Sequence, residues 1–141
     1  MYIALVITKR TEYAIRALVD LACNSDHLAT ANQIAQRQDI PPKYLPQIIS
    51  ELSRAGLLVS VRGYGGGVKL SRQPADITLM DVIQAMQGPM TMFECQVGDT
   101  GCANSAGCGL QHTYGVAQTA LEAVFRETRL SDIRFKQQRM R

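Results

Sequence analysis

The stretch PKYLPQIISELSRAGLLVSVRGYGGGVKLSR, residues 42–72, changes its hydrophobic period once along its length. Its first half has the apolar spacing of an amphipathic helix and reaches Gly56, a residue type that commonly ends helices. The helical spacing is set by Tyr44, Leu45, Ile48, Ile49 and Leu52. In the second half, two β-prone runs, LLVSVR and GVKLSR, flank the flexible centre GYGGG. The pattern predicts a helix followed by a β-hairpin.

The segments before this stretch predict two more helices. TKRTEYAIRALVDLA, residues 8–22, carries apolar residues at helical spacing, with Thr8 as its cap. ANQIAQRQ, residues 31–38, predicts a short helix that turns Ile34 inward. The prolines that follow push the chain out of the helical region, so a tight turn precedes the next helix. Two short helices joined by such a turn form a helix-turn-helix, and the hairpin is its wing, which predicts a winged helix-turn-helix DNA-binding domain in residues 1–75.

The rest of the chain adds two helices around a polar loop. In ITLMDVIQAMQGP, Thr78 and Asp81 have capping-box spacing and predict a helix start. The predicted segments are a connecting helix over residues 76–92 and a cysteine-rich cluster-binding loop over residues 93–112. A dimerisation helix over residues 113–133 and a basic flexible tail over residues 134–141 follow. The last helix has an apolar stripe that we expect to pack against another subunit, formed by Val116, Ala120, Leu121, Val124 and Phe125. The expected fold class is mainly α with a small β-hairpin.

Composition and charge narrow the possible environments. The chain has 141 residues, 46% of them hydrophobic and 19% charged, which indicates a folded protein. The net charge is +3, but residues 1–75 hold nine Lys or Arg against five Asp or Glu. Ordinary solvated surfaces could give this excess, and so could a surface that meets an anion such as DNA. The longest apolar run, Tyr2 to Ile7, is too short for a bilayer and lacks a basic leader, so we expect a cytoplasmic protein without membrane contact.

Three of the four cysteines lie in CQVGDTGCANSAGCGLQH, residues 95–112. Cys95, Cys102 and Cys108 have the spacing C-x6-C-x5-C, which differs from the close pairs of zinc ribbons and the tight runs of bacterial ferredoxins. Thiolates favour iron–sulfur or zinc over magnesium or calcium. Three thiolates leave one position open, for His112, Gln111, an oxygen from elsewhere or a ligand from a second subunit. The fourth cysteine, Cys23, stands alone and is expected to be a small buried hydrophobe.

Polar residues on the helix of the opening stretch, and at its wing, are candidates for DNA contact. On the helix face away from the apolar stripe lie Lys43, Tyr44, Gln47, Ser50 and Arg54. Lysine and arginine neutralise phosphates and glutamine can pair with an adenine edge, although a merely hydrated face would show the same residues. At the wing tip we expect contacts from Arg62, Gly63 and Tyr64. GYGGGVK is not a P-loop, because Val68 separates Gly67 from Lys69.

These residues together resemble a known family. TEYAIRALVDLA, IAQRQDIPPKYLPQIISELSRAGLLVSVRGYGGGVKLSR, ITLMDVIQAMQGP and the three-cysteine loop are similar to the bacterial iron–sulfur winged-helix regulators that include IscR, NsrR and RirA, from about Thr8 to Ile133. The resemblance implies a homodimeric transcription regulator that binds double-stranded promoter DNA. It implies a [2Fe–2S] or [4Fe–4S] cluster held by Cys95, Cys102 and Cys108. It also implies DNA contacts from Lys43, Tyr44, Gln47, Arg62 and Gly63.

The sequence departs from that family at three places. IscR-type members have five residues between their first two cysteines where this chain has six, and their histidine falls at Gln111, so His112 is one place late. Glu12 stands where NsrR-type members supply a carboxylate ligand from the partner subunit, which ranks Glu12 above His112 as fourth ligand. Pro46 replaces the glutamate with which IscR-type members select DNA sites, so target preference does not carry over.

The resulting hypothesis is a DNA-binding repressor whose affinity or target choice depends on the state of its cluster. Iron, iron–sulfur, redox or nitric oxide status could each be the signal, because all of them act on thiolate-held clusters. Two alternatives remain open. One is an electron-transfer protein, which would leave the winged helix without a purpose, and the other is a DNA-binding regulator with a structural zinc site. No residue is predicted to be catalytic, and no enzyme activity is expected.

Overall fold

The computed structural model of the chain describes residues 7–24, 28–90 and 109–133. Within them the chain forms helices α1 to α5 and a two-stranded hairpin: α1 Lys9–Cys23, α2 Ala31–Gln38, α3 Leu45–Arg54, β1 Leu58–Val61, β2 Gly67–Leu70, α4 Leu79–Gln87 and α5 Leu110–Glu127. Short 3₁₀ turns lie at Pro42–Tyr44, Pro74–Asp76 and Leu130–Asp132. The predicted mainly α fold with a small hairpin is confirmed. Most of the predicted cysteine loop, including Cys95, Cys102 and Cys108, and the predicted tail lie outside the described residues.

The helices begin where side chains can cap them. The Thr8 hydroxyl accepts a hydrogen bond from the Thr11 backbone N–H at the start of α1, at 3.2 Å. The predicted capping box of α4 is confirmed, because Thr78 Oγ1 accepts from the Asp81 N–H while the Asp81 carboxylate accepts from the Thr78 N–H. These bonds satisfy backbone donors that a helix cannot satisfy internally. Pro46 is the second residue of α3, where a missing N–H costs no helical bond.

The core lies between α1, α2, α3 and α4. Its fully buried apolar side chains include Leu18, Ile34, Leu45, Ile48, Leu52, Ile77, Val82 and Leu130. Two polar residues are buried with them, Thr11 and Asp20. The Asp20 carboxylate is 3% exposed and accepts from Arg37 Nε and a terminal nitrogen of Arg37, the shorter contact being 2.6 Å. This ion pair joins α1 to α2, so the helix-turn-helix is fixed to the first helix by charge as well as by apolar packing.

The wing is attached to the segment before α2. In the antiparallel hairpin Leu58 pairs with Leu70 and Val61 with Gly67. Val68 also exchanges two backbone hydrogen bonds with Ala29, at 2.8 and 3.1 Å, which adds a third short backbone segment at its edge. A Cβ atom on Gly67 would lie 2.6 Å from the Ala29 carbonyl oxygen. The close approach of these two backbones therefore requires glycine at this position.

The segment after α5 returns to the core. The sequence predicts a dimerisation helix over residues 113–133, whereas α5 spans Leu110–Glu127 and is followed by the 3₁₀ turn. The Leu79 N–H donates to the Thr128 carbonyl at 2.8 Å, and the Leu130 N–H donates to the Ile77 carbonyl at 2.9 Å. With its side chain 1% exposed, Leu130 anchors the segment after α5 beside the start of α4.

One burial prediction is wrong. Cys23 was expected to be a small buried hydrophobe, but it is exposed. It is the last residue of α1 and follows the buried Leu21 by two positions. Val19, one turn earlier on the same side of the helix, is buried, so the burial of this side ends before the last residue of α1.

Candidate nucleic-acid interface and cluster segment

The two faces of α3 separate core residues from polar ones. Leu45, Ile48 and Leu52 are fully buried. On the opposite face, Gln47, Ser50 and Arg54 are exposed and spaced three or four residues apart, so they form one polar row. Lys43 and Tyr44, which the sequence placed on the same helix, lie instead in the 3₁₀ turn that precedes it, and both are exposed. The start and the outer face of α3 thus present the whole predicted recognition set to solvent.

The wing tip projects its candidate side chains away from the fold. Arg62 and Tyr64 are exposed, and the Tyr64 side chain is in contact with solvent over its whole surface. Gly63 has a φ of +105°, and its carbonyl accepts from the Gly66 N–H at 2.9 Å. A Cβ on Gly66 would lie 2.3 Å from the Val61 carbonyl oxygen, so the tip turns too tightly for a larger residue there. An exposed cation on a tight glycine turn can approach a DNA groove or a phosphate.

Sequence reasoning missed two residues of α1 that contact this surface. The Tyr13 ring stacks on the Tyr44 ring, with 5.9 Å between centroids and an interplanar angle of 28°. Arg10 donates to Glu51 Oε1 of α3 at 2.6 Å. The contacts join residues 31 and 41 positions apart in the chain, a separation that hydrophobic periodicity within one helix does not report.

Glu12 and His112, the two candidates for the fourth ligand, lie at different helix starts. Glu12 is in the first turn of α1 with its side chain 41% exposed, and its carboxylate pairs with Lys9 at 3.4 Å and Arg16 at 3.1 Å. His112 is exposed in the first turn of α5. Neither belongs to a group of three or more possible metal ligands within the described residues. Three thiolates with a carboxylate or an imidazole are a donor set that suits an iron–sulfur cluster.

The two ends of the cysteine segment are attached to the fold. Met90, just before it, is buried, and its carbonyl accepts a hydrogen bond from Gln118 Nε2 of α5 at 2.6 Å. After it, α5 begins two residues beyond Cys108. The residue before the loop is therefore bound directly to the helix that follows the loop.

The last helix leaves part of its apolar stripe exposed, whereas Leu121 and Phe125 are half-buried. None of the α5 residues is buried in the chain. Val116 and Val124 are 56% and 57% exposed, and Leu110 is 55% exposed. Among the described residues no helix is both long and apolar enough to cross a membrane.

Comparison with known proteins agrees with this geometry. Residues 7–135 match the model of the Rrf2 family, described as iron-dependent transcriptional regulators. The transcriptional regulator NsrR of Oceanobacillus iheyensis is 32% identical over 90% of this chain and 88% of its own length. The solved structure of CymR, the global cysteine regulator of B. subtilis, is 27% identical, with a TM-score of 0.74, and covers 90% of this chain and 94% of its own. The structure of T. potens IscR is also 27% identical, with a TM-score of 0.72, and covers 90% of this chain and 84% of its own. This chain therefore belongs to the Rrf2 family, and it is a DNA-binding transcriptional regulator rather than an enzyme.

Proposed function

We propose that the protein is a homodimeric repressor whose binding to promoter DNA is modulated by a [2Fe–2S] or [4Fe–4S] cluster. The observation that carries the proposal is the position and exposure of α5. This helix begins two residues after Cys108, is tied to the DNA-binding fold through Met90 and Leu130, and leaves Val116 and Val124 uncovered. The cysteine segment thus lies between a DNA-binding fold and a helix with an apolar surface for a second copy.

In this proposal the DNA-reading surface consists of the outer face of α3 with its preceding turn and the wing tip: Lys43, Tyr44, Gln47, Ser50, Arg54, Arg62, Gly63 and Tyr64. Gln47 reads a base edge in the major groove, because its amide can both donate and accept. Lys43 and Arg54 neutralise phosphates, and Ser50 donates to the backbone. Arg62 enters the adjacent groove, which the backbone can approach closely at Gly63.

Cys95, Cys102 and Cys108 hold the cluster, and the partner subunit's Glu12 is the fourth ligand in preference to His112. When bound, the cluster supplies a centre that oxygen, nitric oxide or iron shortage can alter. A ligand from the second chain makes cluster binding depend on the dimer. Ligation would also take the Glu12 carboxylate away from Lys9 and Arg16 on its own helix. A coupling of about 1–3 kcal/mol between cluster and DNA would change DNA affinity about 5- to 150-fold.

The ligand assignment is tested by anaerobic purification followed by visible absorption and by iron and acid-labile sulfide analysis. Cys102→Ala should abolish the cluster absorption, whereas Cys23→Ala, which removes an exposed thiol outside the proposed site, should retain it. Glu12→Ala should change the spectrum and speed cluster loss, and His112→Ala should do neither. Full absorption and stoichiometry in Cys102→Ala would refute the assignment. Zinc without sulfide in the native protein would favour the structural zinc site.

The sensing proposal is tested by titrating the same preparation with promoter DNA before and after cluster removal. We expect the two forms to differ in affinity or in selectivity among DNA sites. Equal affinity and equal selectivity would refute cluster sensing and leave DNA binding intact. The electron-transfer alternative is set aside, because the family consists of transcriptional regulators.

A further inference from the structure

Two stacked tyrosines with a lysine at each end form a ladder between the start of α1 and the start of α3. We call it the Lys–Tyr ladder: Lys9, Tyr13, Tyr44 and Lys43. Lys9 Nζ lies 5.6 Å from the centroid of the Tyr13 ring, which stacks on Tyr44 at 5.9 Å. Lys43 Nζ lies 5.0 Å from the centroid of the Tyr44 ring. Each ammonium group is thus within the range of a cation–π contact, and the ring pair is within stacking range.

The ladder arises from helix geometry on one side and from a turn on the other. Lys9 and Tyr13 are four residues apart on α1, so their side chains lie on the same face. Lys43 and Tyr44 are neighbours in the 3₁₀ turn that leads into α3. Tyr13 is half-buried, whereas Tyr44 is 39% exposed and the Lys9 side chain is 66% exposed. The inner ring therefore supports an outer ring that still faces solvent.

A second contact holds the same two elements together. Arg10, beside Lys9, pairs with Glu51 of α3 at 2.6 Å. Glu51 Oε2, the other carboxylate oxygen, is buried and has no hydrogen-bond partner among the described residues, so Arg10 is the cation that stabilises this carboxylate there. The first turn of α1 is thus attached to both ends of the recognition segment, through the rings at Tyr44 and through the ion pair at Glu51.

We infer that the first turn of α1 belongs to the DNA-binding surface, with Lys9 contacting a DNA phosphate and Tyr13 acting as a positioning residue for Tyr44. The inference rests on the proposed DNA-reading surface, because Tyr44 and Lys43 are part of it. Lys9 now pairs with Glu12 at 3.4 Å across an exposed surface, and such pairs contribute little. A phosphate at the ladder would replace that pair and release a counterion from the DNA.

The role of Lys9 is tested by the salt dependence of DNA binding. The probe is a duplex enriched from a random-sequence library by the full-length protein, and fluorescence anisotropy gives its affinity at several salt concentrations. Lys9→Gln should make the plot of log affinity against log salt shallower by about 0.9. The matched control is Arg126→Gln, which removes one exposed positive charge from α5 and should leave the slope unchanged.

The role of Tyr13 is tested by a pair of variants and a double-mutant cycle. Tyr13→Ala should weaken DNA binding about 2- to 10-fold, because it removes the ring stack. The salt slope should not change, because no phosphate contact is lost. Tyr13→Phe keeps the ring and should restore native affinity. In a Tyr44→Ala background, Tyr13→Ala should have no further effect, which a general loss of stability would not reproduce.

The outcomes separate this inference from the proposal beneath it. Two results would overturn the inference: an unchanged salt slope in Lys9→Gln, or a weakening by Tyr13→Ala that persists in the Tyr44→Ala background. The proposed DNA-reading surface would still stand if Lys43→Gln and Arg62→Gln weaken binding. Unchanged binding in Lys43→Gln and Arg62→Gln would instead overturn the proposed DNA-reading surface. If Tyr13→Ala does not fold, as judged by circular dichroism, weakened binding in a folded Tyr13→Phe would contradict the ring-stacking role, and native binding would support it.

Discussion

Helices α3 and α5 both carry an apolar stripe, but only α3 buries it within the chain. Of the ten residues of α3, Leu45, Ile48 and Leu52 are fully buried. The 18-residue helix α5 has no buried residue at all. The same kind of sequence pattern thus serves two purposes in one chain. In α3 it builds the core under the proposed DNA-reading face, and in α5 it leaves an apolar surface, which is the proposed dimer contact.

The difference follows from where each helix lies in the chain. α3 packs against α1, α4 and β1, which together cover its inner face. α5 packs on α4 and is fixed near its C-terminal end by the return of the chain through Thr128 and Leu130. These contacts leave Val116 and Val124 uncovered. Changes to the two stripes should therefore have separable effects, on folding for α3 and on association for α5.

The largest effect is expected from a cavity under α3. Ile48→Ala removes a fully buried side chain and should lower the free energy of unfolding by about 2–5 kcal/mol, because the surrounding core cannot fully collapse. Urea denaturation followed by circular dichroism measures the change. Ser50→Ala on the exposed face of the same helix is the control and should stay within about 0.5 kcal/mol of the native value. A loss of stability in Ser50→Ala equal to that in Ile48→Ala would contradict the division of the helix into two faces.

The next effect concerns the uncovered stripe of α5. Placing a carboxylate within the proposed dimer contact, by Val124→Glu, should cost about 2 kcal/mol or more of association free energy and shift the protein toward monomers. Light scattering after size exclusion measures the mass. The thermal stability of the separated subunit should hardly change, because Val124 is 57% exposed in the chain.

A matched control distinguishes the stripe from a general charge effect. Arg126→Gln changes the net charge by the same amount, and Arg126 is two helical steps from Val124, so it faces away from the stripe. We expect this variant to remain dimeric. Dissociation by Arg126→Gln, or a full dimer in Val124→Glu, would show that the stripe is not the dimer contact.

The local elements could be predicted from the sequence because their signals are local. The period of the apolar residues predicted α3, the glycine cluster between two β-prone runs predicted the wing, and the spacing of Thr78 and Asp81 predicted the start of α4. Exposure of Gln47 and Arg54 followed from the same period. Each of these features depends on residues within about one or two turns of one another.

The features that the sequence did not predict depend on distant segments. Tyr13 stacks on Tyr44, and Leu130 is buried beside Ile77. These contacts join residues far apart in the sequence, and the periodicity of apolar residues within one helix does not predict such contacts. Cys23 was predicted to be buried from its apolar neighbours in sequence, but it is the last residue of α1, and its burial depends on which distant segments cover that end of the helix. The assignment of the three loop cysteines rests on spacing and family resemblance, and it stays a prediction.

The smallest expected effect distinguishes base recognition from phosphate contact on the outer face of α3. Gln47→Ala should leave stability unchanged and cost about 1–3 kcal/mol of discrimination at one base position, because an amide pairs with a base edge. Arg54→Gln should instead weaken binding to all sequences alike and reduce the salt slope by about 0.9, because its partner is a phosphate. Binding of both variants to a library of single-base operator substitutions measures the two patterns. A uniform loss for Gln47→Ala would assign that residue to the phosphate backbone and place base reading elsewhere on the helix or in the wing.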